Sequence, residues 1–180
     1  MRLKPSRALT VAAALAVTAA VGVATDTDPA SAASPVSAHA AATAPTVWVD
    51  TRVSSVWHVT SAVRFVDRFT GTRLRLGKCH KGADCVVIRE KWNMDRNVAG
   101  LTYVGGGPTT TIHLNGWKRG MSWGQRYNTI IHELGHARGI YTHDRRCDSV
   151  MYESTNCNHG TGRVAPRTFT AAEKSILRKR

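Results

Sequence analysis

The chain has 180 residues, a formal net charge of +13 at pH 7 and 42% hydrophobic residues. The first 44 residues contain three of its basic and two of its acidic residues, so the remainder keeps a charge of +12. The roughly 135 residues that follow suffice for one compact domain and exclude a second. The positive charge favours nonspecific attraction to anionic surfaces. Because the charges are dispersed and no nucleic-acid-binding motif accompanies them, we expect no specific nucleic-acid partner.

Residues 1–32 are typical of a secretory signal peptide. A basic start precedes an apolar, alanine-rich run over residues 8–24, which is slightly short for a membrane span. Residues 33–45 consist mainly of Ala, Ser, Thr and Pro without periodicity and indicate a flexible leader. An uncleaved membrane anchor is the alternative to a signal peptide for residues 1–32. We therefore predict a secreted, extracellular domain over residues 46–180, with no stable membrane insertion.

Strand and helix signals follow one another after the leader. Alternating or β-branched residues predict strands at residues 46–50, 72–76, 85–90, 100–104 and 110–114. Apolar periodicity predicts helices over residues 54–69 and about 122–138, and the capping box Thr170–Glu173 predicts a short terminal helix. This order indicates an α+β fold: a mixed, twisted β-sheet, one helix behind it, and a second helix that carries the chemistry.

The four cysteines all lie in the predicted exported domain. In an exported chain, an even number of cysteines at close spacings suggests disulfide bonds. We pair neighbours, Cys79–Cys85 and Cys147–Cys157, although four cysteines allow three connectivities. A cysteine-based zinc site is the alternative, and the lack of any C-x-x-C motif in the sequence argues against it.

An H-E-x-x-H motif, formed by His132, Glu133 and His136, lies on the second predicted long helix. Histidines four residues apart on a helix point in the same direction, so both can bind one metal ion. They lie opposite the apolar stripe of this helix, as a ligand face in a cleft requires. Glu133 lies beside the metal, where it can take a proton from zinc-bound water. The motif therefore predicts one catalytic zinc ion, whereas the sequence makes no prediction about calcium.

The residues after the motif extend it. Gly139, three residues after His136, can adopt the left-handed conformation that ends a helix and turns the chain. We expect this turn to bring a third ligand back to the metal. Met151 follows a short distance further on.

In these residues the chain resembles the metzincin metalloproteases, whose signature is H-E-x-x-H-x-x-G-x-x-H/D followed by a methionine turn. Among metzincins it is most similar to the snapalysin family of small secreted bacterial neutral proteases. That family pairs a cysteine four residues before the methionine with another beyond it, as Cys147, Met151 and Cys157 are spaced here. The resemblance implies zinc-dependent peptide hydrolysis with Glu133 as general base and Met151 as the floor of the metal site.

The chain departs from the family at the third ligand. That position is Thr142, a poor zinc ligand, whereas the adjacent His143 and Asp144 are good ones. We predict His143, because neutral imidazole suits zinc and a loop easily absorbs one extra residue; Asp144 is the alternative, since snapalysin is thought to use a carboxylate. A gluzincin-type site would instead take its third ligand from a downstream residue such as Glu153. Tyr152 is a candidate for hydrogen bonding to a reacting oxyanion.

The sequence thus predicts a secreted, monomeric zinc metalloendopeptidase that acts on protein or peptide substrates. The substrate would pair with an exposed edge strand, for which residues 110–114 are the candidate. Two other functions stay open: a basic secreted binding module with a structural zinc site, and a zinc amidase acting on cell-wall peptide. Glu133 favours catalysis, because a purely structural site has no need of a carboxylate after its first ligand.

Overall fold

A computed structural model of the protein describes residues 44–153 and 167–180. Within these ranges the chain forms five strands and three α-helices. The strands are β1 (Thr46–Arg52), β2 (Arg73–Leu76), β3 (Cys85–Lys91), β4 (Gly100–Val104) and β5 (Thr109–Asn115). The helices are α1 (Val59–Asp67), α2 (Trp123–Ala137) and α3 (Ala171–Arg178). The predicted signal peptide and nearly all of the predicted leader lie outside the described residues.

The five strands form one mixed sheet in the order β2-β1-β3-β5-β4. β2, β1, β3 and β5 run parallel, and β4 pairs with β5 in the antiparallel direction. The predicted α+β class with a mixed sheet is confirmed. The prediction that residues 110–114 form the edge strand is wrong, because β5 has β3 on one side and β4 on the other. Of the two edge strands in the described part of the chain, β4 is the one beside α2.

Alternate residues of the central strands face the helices and form the core. The register aligns Val49 of β1 with Val86 of β3, and Ile88 of β3 with Ile112 of β5. All four side chains are buried, in one apolar cluster with residues of α1 and α2. Fully burying a side chain of this size contributes about 1.5–3 kcal/mol. This core fixes the orientation of α2 and therefore of its opposite, polar face.

The predicted first helix is interrupted near its start. Residues 55–57 form a short 3-10 turn capped by the Ser54 side chain, and α1 begins only at Val59. His58 between them has a left-handed backbone with φ 53°. The buried Trp57 explains the break, because its indole Nε1 donates a hydrogen bond to Glu90 Oε1 on β3 at 2.5 Å. This tertiary contact outweighs the helical preference of the local sequence.

The predicted start of the second long helix at about residue 122 and the predicted capping box Thr170–Glu173 are both confirmed. Ser122 caps α2 in a capping box with Gln125, and Thr170 caps α3 in a capping box with Glu173. In each box the side chain of the first residue accepts a hydrogen bond from the backbone of the last, and the reverse bond is also present. These contacts satisfy backbone N–H groups that have no partner within the helix.

The predicted disulfide Cys79–Cys85 is present, with a Cα–Cα distance of 5.7 Å. The second predicted bridge, Cys147–Cys157, stays a prediction because Cys157 lies outside the described residues. No helix in the described ranges has both the length and the apolar character needed to cross a membrane.

Candidate metal centre

Three histidine side chains converge beside the last turns of α2. His132 and His136 lie one turn apart on the helix, and His143 lies in the loop that follows. His136 Nε2 is 3.0 Å from His132 Nε2 and 3.1 Å from His143 Nε2. Ligand atoms of the three residues all lie within 4.8 Å of one another, so together they can hold a metal ion.

The turn after α2 brings His143 back to the helix. Gly139 has φ 96°, a conformation that is strained for residues with a side chain, and its N–H bonds to the His136 carbonyl oxygen at 3.0 Å. The next N–H, of Ile140, bonds to the Gly135 carbonyl oxygen at 3.0 Å. The Ile140 side chain is buried in the core and anchors the turn. The predicted left-handed glycine is confirmed.

Backbone carbonyl groups orient the imidazole rings of His132 and His136 through their Nδ1 atoms. His132 Nδ1 is 2.9 Å from the carbonyl oxygen of Val150, and His136 Nδ1 is 2.6 Å from that of Ile140. Because a carbonyl oxygen only accepts hydrogen bonds, each Nδ1 carries the hydrogen and donates it. Each Nε2 then presents a lone pair towards the other histidines.

This donor set fits zinc. Two lone pairs that face each other at 3.0 Å repel, and a cation between them turns the repulsion into coordination. Zinc–nitrogen bonds of about 2.0–2.1 Å at a tetrahedral angle place two nitrogens about 3.3 Å apart. The observed separations of 3.0 and 3.1 Å are close to that value.

Burial keeps the helical imidazoles neutral. Desolvation lowers the pKa of His132 to about 4, and the hydrogen bond to the Val150 carbonyl opposes only part of this change. Burial also lowers the pKa of His136. Since neutral imidazole is the form that coordinates a metal, these two side chains are ready to bind one at neutral pH.

The alternative third ligands are placed elsewhere. The Asp144 carboxylate accepts a hydrogen bond from the Arg146 backbone at 2.8 Å and lies 3.4 Å from its guanidinium. Among the described residues, the cluster able to hold a metal contains His143 and neither Asp144 nor Glu153. Glu153 is exposed and lines a cavity beside the histidines, which is described below. Thr142 is exposed as well.

Glu133 is buried next to the histidines and contacts the edge strand β4. Thr102 Oγ1 donates a hydrogen bond to Glu133 Oε2 at 2.5 Å. Gly100 leaves room for the carboxylate, because a Cβ there would lie 2.8 Å from Glu133 Oε1. Burial raises the pKa of Glu133 to about 7, and the Thr102 hydrogen bond opposes this rise. A pKa near the working pH suits a group that both accepts and donates a proton.

Met151 lies directly beneath α2. Its side chain is fully buried, and a Cβ on Gly135 would be 2.6 Å from its sulfur. Ser149 supports the turn: its hydroxyl accepts a hydrogen bond from the Met151 N–H at 2.9 Å and donates one to Glu173 Oε1 on α3 at 2.8 Å. The methionine thus packs under the helical segment between the two histidines, with α3 behind it.

A cavity of about 660 Å³ opens beside the histidines and Glu133. β4, α2 and the chain around Tyr152 contribute to its walls, and Arg167 lines it next to Tyr152. Tyr152 was predicted as a site residue from the sequence, whereas Gly100, Thr102 and Arg167 were not. These three residues belong to no local motif, since only the tertiary fold brings them to α2.

No protein-family model matches the chain, and no curated protein matches it either.

Proposed function

We propose that the protein is a secreted zinc-dependent metalloendopeptidase with a metzincin-like catalytic domain. One observation carries this proposal: three imidazole groups converge beside a buried glutamate on the wall of a single cavity. His132, His136 and His143 would hold the metal. Three protein ligands beside an open cavity are typical of catalytic zinc, whereas structural zinc is usually enclosed by four.

Zinc in such a site supplies a Lewis acid that polarises a carbonyl group and lowers the pKa of water. The protein contributes proton transfer and positioning. Glu133 takes a proton from the water that attacks the scissile carbonyl and passes it to the departing amine. Thr102 holds Oε2 of this carboxylate, so Oε1, beside Gly100, is available for the proton. The Tyr152 hydroxyl is the candidate donor to the developing oxyanion.

The edge strand β4 offers a place for the substrate backbone. β4 has a strand neighbour only on its β5 side within the described sheet, and Gly100 and Thr102 reach the cavity from it. An extended peptide can add to such an edge through main-chain hydrogen bonds. A peptide bound there passes close to Glu133, because Thr102 contacts that residue.

The metzincin-like assignment is supported by features around the histidines as well as by the motif. The left-handed Gly139 and the buried Met151 beneath α2 agree with what the resemblance implies, whereas the third imidazole comes from His143, one residue beyond the position that the resemblance gives to the third ligand. Secretion rests on the predicted signal peptide and agrees with the disulfide Cys79–Cys85. We propose a monomer that acts on protein or peptide substrates.

This function is tested by comparing the wild type and the Glu133→Gln variant for cleavage of casein. Zinc content is measured on the same samples. We expect activity to fall by at least about 100-fold while zinc stays bound, because the amide cannot accept the proton. Glu153→Gln is the matched control, since Glu153 lines the same cavity but is exposed. It should retain both zinc and activity.

Three other outcomes would contradict the proposal. Undiminished activity of zinc-loaded Glu133→Gln would show that Glu133 is not the general base. Zinc binding without cleavage of any peptide by the wild type would favour a binding module with structural zinc. Hydrolysis of cell-wall peptide but not of casein would favour an amidase.

A further inference from the structure

Arg167 places a buried positive charge in the wall of the cavity. The residue lies before α3, is 6% exposed and lines the same cavity as His132 and Glu133. Burial lowers the pKa of Arg167 itself, but a guanidinium stays protonated in proteins. The cavity therefore carries a permanent cation beside the proposed metal ligands.

Neighbouring residues hold this cation in place. The Arg167 guanidinium carbon lies over the ring of Tyr152, 5.5 Å from its centroid. The Arg167 backbone N–H donates a hydrogen bond to Asn128 Oδ1 at 3.3 Å, and Asn128 lies one turn before His132 on α2. A guanidinium that is stacked on an aromatic ring, on a backbone that is tied to the ligand-bearing helix, loses little freedom when it binds a ligand.

Two carboxylates also line the described part of the cavity. Glu133 is engaged by Thr102, and Glu153 lies exposed at the rim, where solvent screens its charge. Lys118 adds a second cation to the lining. The overall positive charge of the chain also attracts anionic peptides.

We propose that Arg167 makes the enzyme selective for peptides that carry Asp or Glu at one residue flanking the scissile bond. This inference rests on the proposed endopeptidase function and adds its substrate class. A guanidinium binds a carboxylate through two parallel, charge-assisted hydrogen bonds, whereas the isosteric amide offers one acceptor and no charge. Such a contact corresponds to an advantage of about 10- to 100-fold for acid over amide.

Fluorogenic peptides of one parent sequence test the selectivity. The four varied positions are the two residues before and the two residues after the scissile bond. Each position in turn is substituted with Asp, Asn, Glu or Gln. At one position, kcat/KM should be about 10- to 100-fold higher for the acid than for its amide. Arg167→Met should abolish this preference, and Arg167→Lys, which keeps the charge, should retain part of it. Thermal unfolding and zinc content establish that both variants are folded.

Peptide binding to the zinc-loaded Glu133→Gln variant gives a readout that does not need turnover. Calorimetry should show tighter binding of the acidic peptide than of its amide isostere, and adding Arg167→Met should remove the difference. Equal kcat/KM for acids and amides at every position, or a preference that survives Arg167→Met, would overturn the role of Arg167. Cleavage without acid preference would leave the endopeptidase function standing. A wild type that cleaves no peptide would refute that function, while acid-selective binding would still identify the subsite.

Discussion

Thr102 on β4 and Glu133 on α2 are 31 positions apart in the chain, yet the Thr102 hydroxyl is 2.5 Å from Glu133 Oε2 and 3.1 Å from the Glu133 carbonyl oxygen. One hydroxyl thus touches both the side chain and the backbone of the proposed general base. The edge strand proposed to bind substrate and the helix that bears the base are joined at the point where the reaction would occur.

Thr102→Val should lower kcat by roughly 10- to 100-fold, because the Glu133 carboxylate loses the hydrogen bond that orients it. Zinc content should not change, since the Thr102 hydroxyl bonds to Glu133 and the candidate ligands are His132, His136 and His143. Thr102→Ser keeps the hydroxyl and should restore most of the activity. An equal loss in both variants would show that the methyl group, and not the hydrogen bond, matters.

His143→Ala should lose zinc on dialysis, while Asp144→Ala should retain it. The His143 imidazole lies with the other two, whereas the Asp144 carboxylate is held by Arg146. Loss of a direct ligand should weaken zinc affinity by more than the about 10- to 100-fold typical of an outer-shell change. Metal analysis after dialysis measures both variants, and zinc loss confined to Asp144→Ala would reverse the assignment.

Gly100→Ala should reduce activity without releasing zinc. The added methyl group would lie 2.8 Å from Glu133 Oε1 and Cγ, so the carboxylate has to move away from its position. A displacement of about 1 Å can cost on the order of 100-fold in rate. Gly105→Ala, after the same strand, is the control, since its nearest contact would be an ordinary 3.8 Å. Equal activity of the two variants would argue against a fixed carboxylate.

The Glu90–Arg119 pair should make stability depend on pH. Hydrogen bonding to Arg119 lowers the pKa of Glu90 in the folded protein, with help from Trp57 and Ser54 and against the effect of burial. A lowered pKa means that the pair stabilises the fold above the unfolded-state pKa of Glu90. This contribution disappears as the pH falls through the folded-state value.

Glu90→Gln isolates this effect. Chemical denaturation at a series of pH values should show the wild type more stable than the variant at pH 7. The difference in free energy of unfolding should shrink steadily below about pH 4.3, the ordinary pKa of a glutamate. A difference that stays constant down to pH 2 would mean that the charge of Glu90 contributes nothing.

The parts of the molecule that follow local rules could be predicted from the sequence. A capping box such as Thr170–Glu173 acts within four residues, and a helix fixes the relative directions of His132 and His136. His143 was reached by ligand chemistry alone, because an imidazole suits zinc better than the neighbouring hydroxyl of Thr142. In each case the decisive interaction acts over only a few residues.

The contacts that the sequence could not predict all join distant segments. β4 is the edge strand because β5 pairs with β3 on its other side. No pattern within residues 100–114 indicates which of the two strands pairs with a second strand. Trp57 interrupts the predicted first helix near its start because Glu90, 33 residues away in the chain, is adjacent in space. No sequence pattern singles out Arg167, since its place in the cavity depends on packing against Tyr152.

The hydrogen bond between Ser149 and Glu173 has a consequence for biosynthesis. During translation, the metal-binding histidines and Met151 leave the ribosome before α3, whose carboxylate steadies the methionine turn from behind. Because chains fold as they emerge, the proposed hydrolytic site gains its full support only once α3 has docked. Such an order would delay proteolytic competence until α3 has been synthesised.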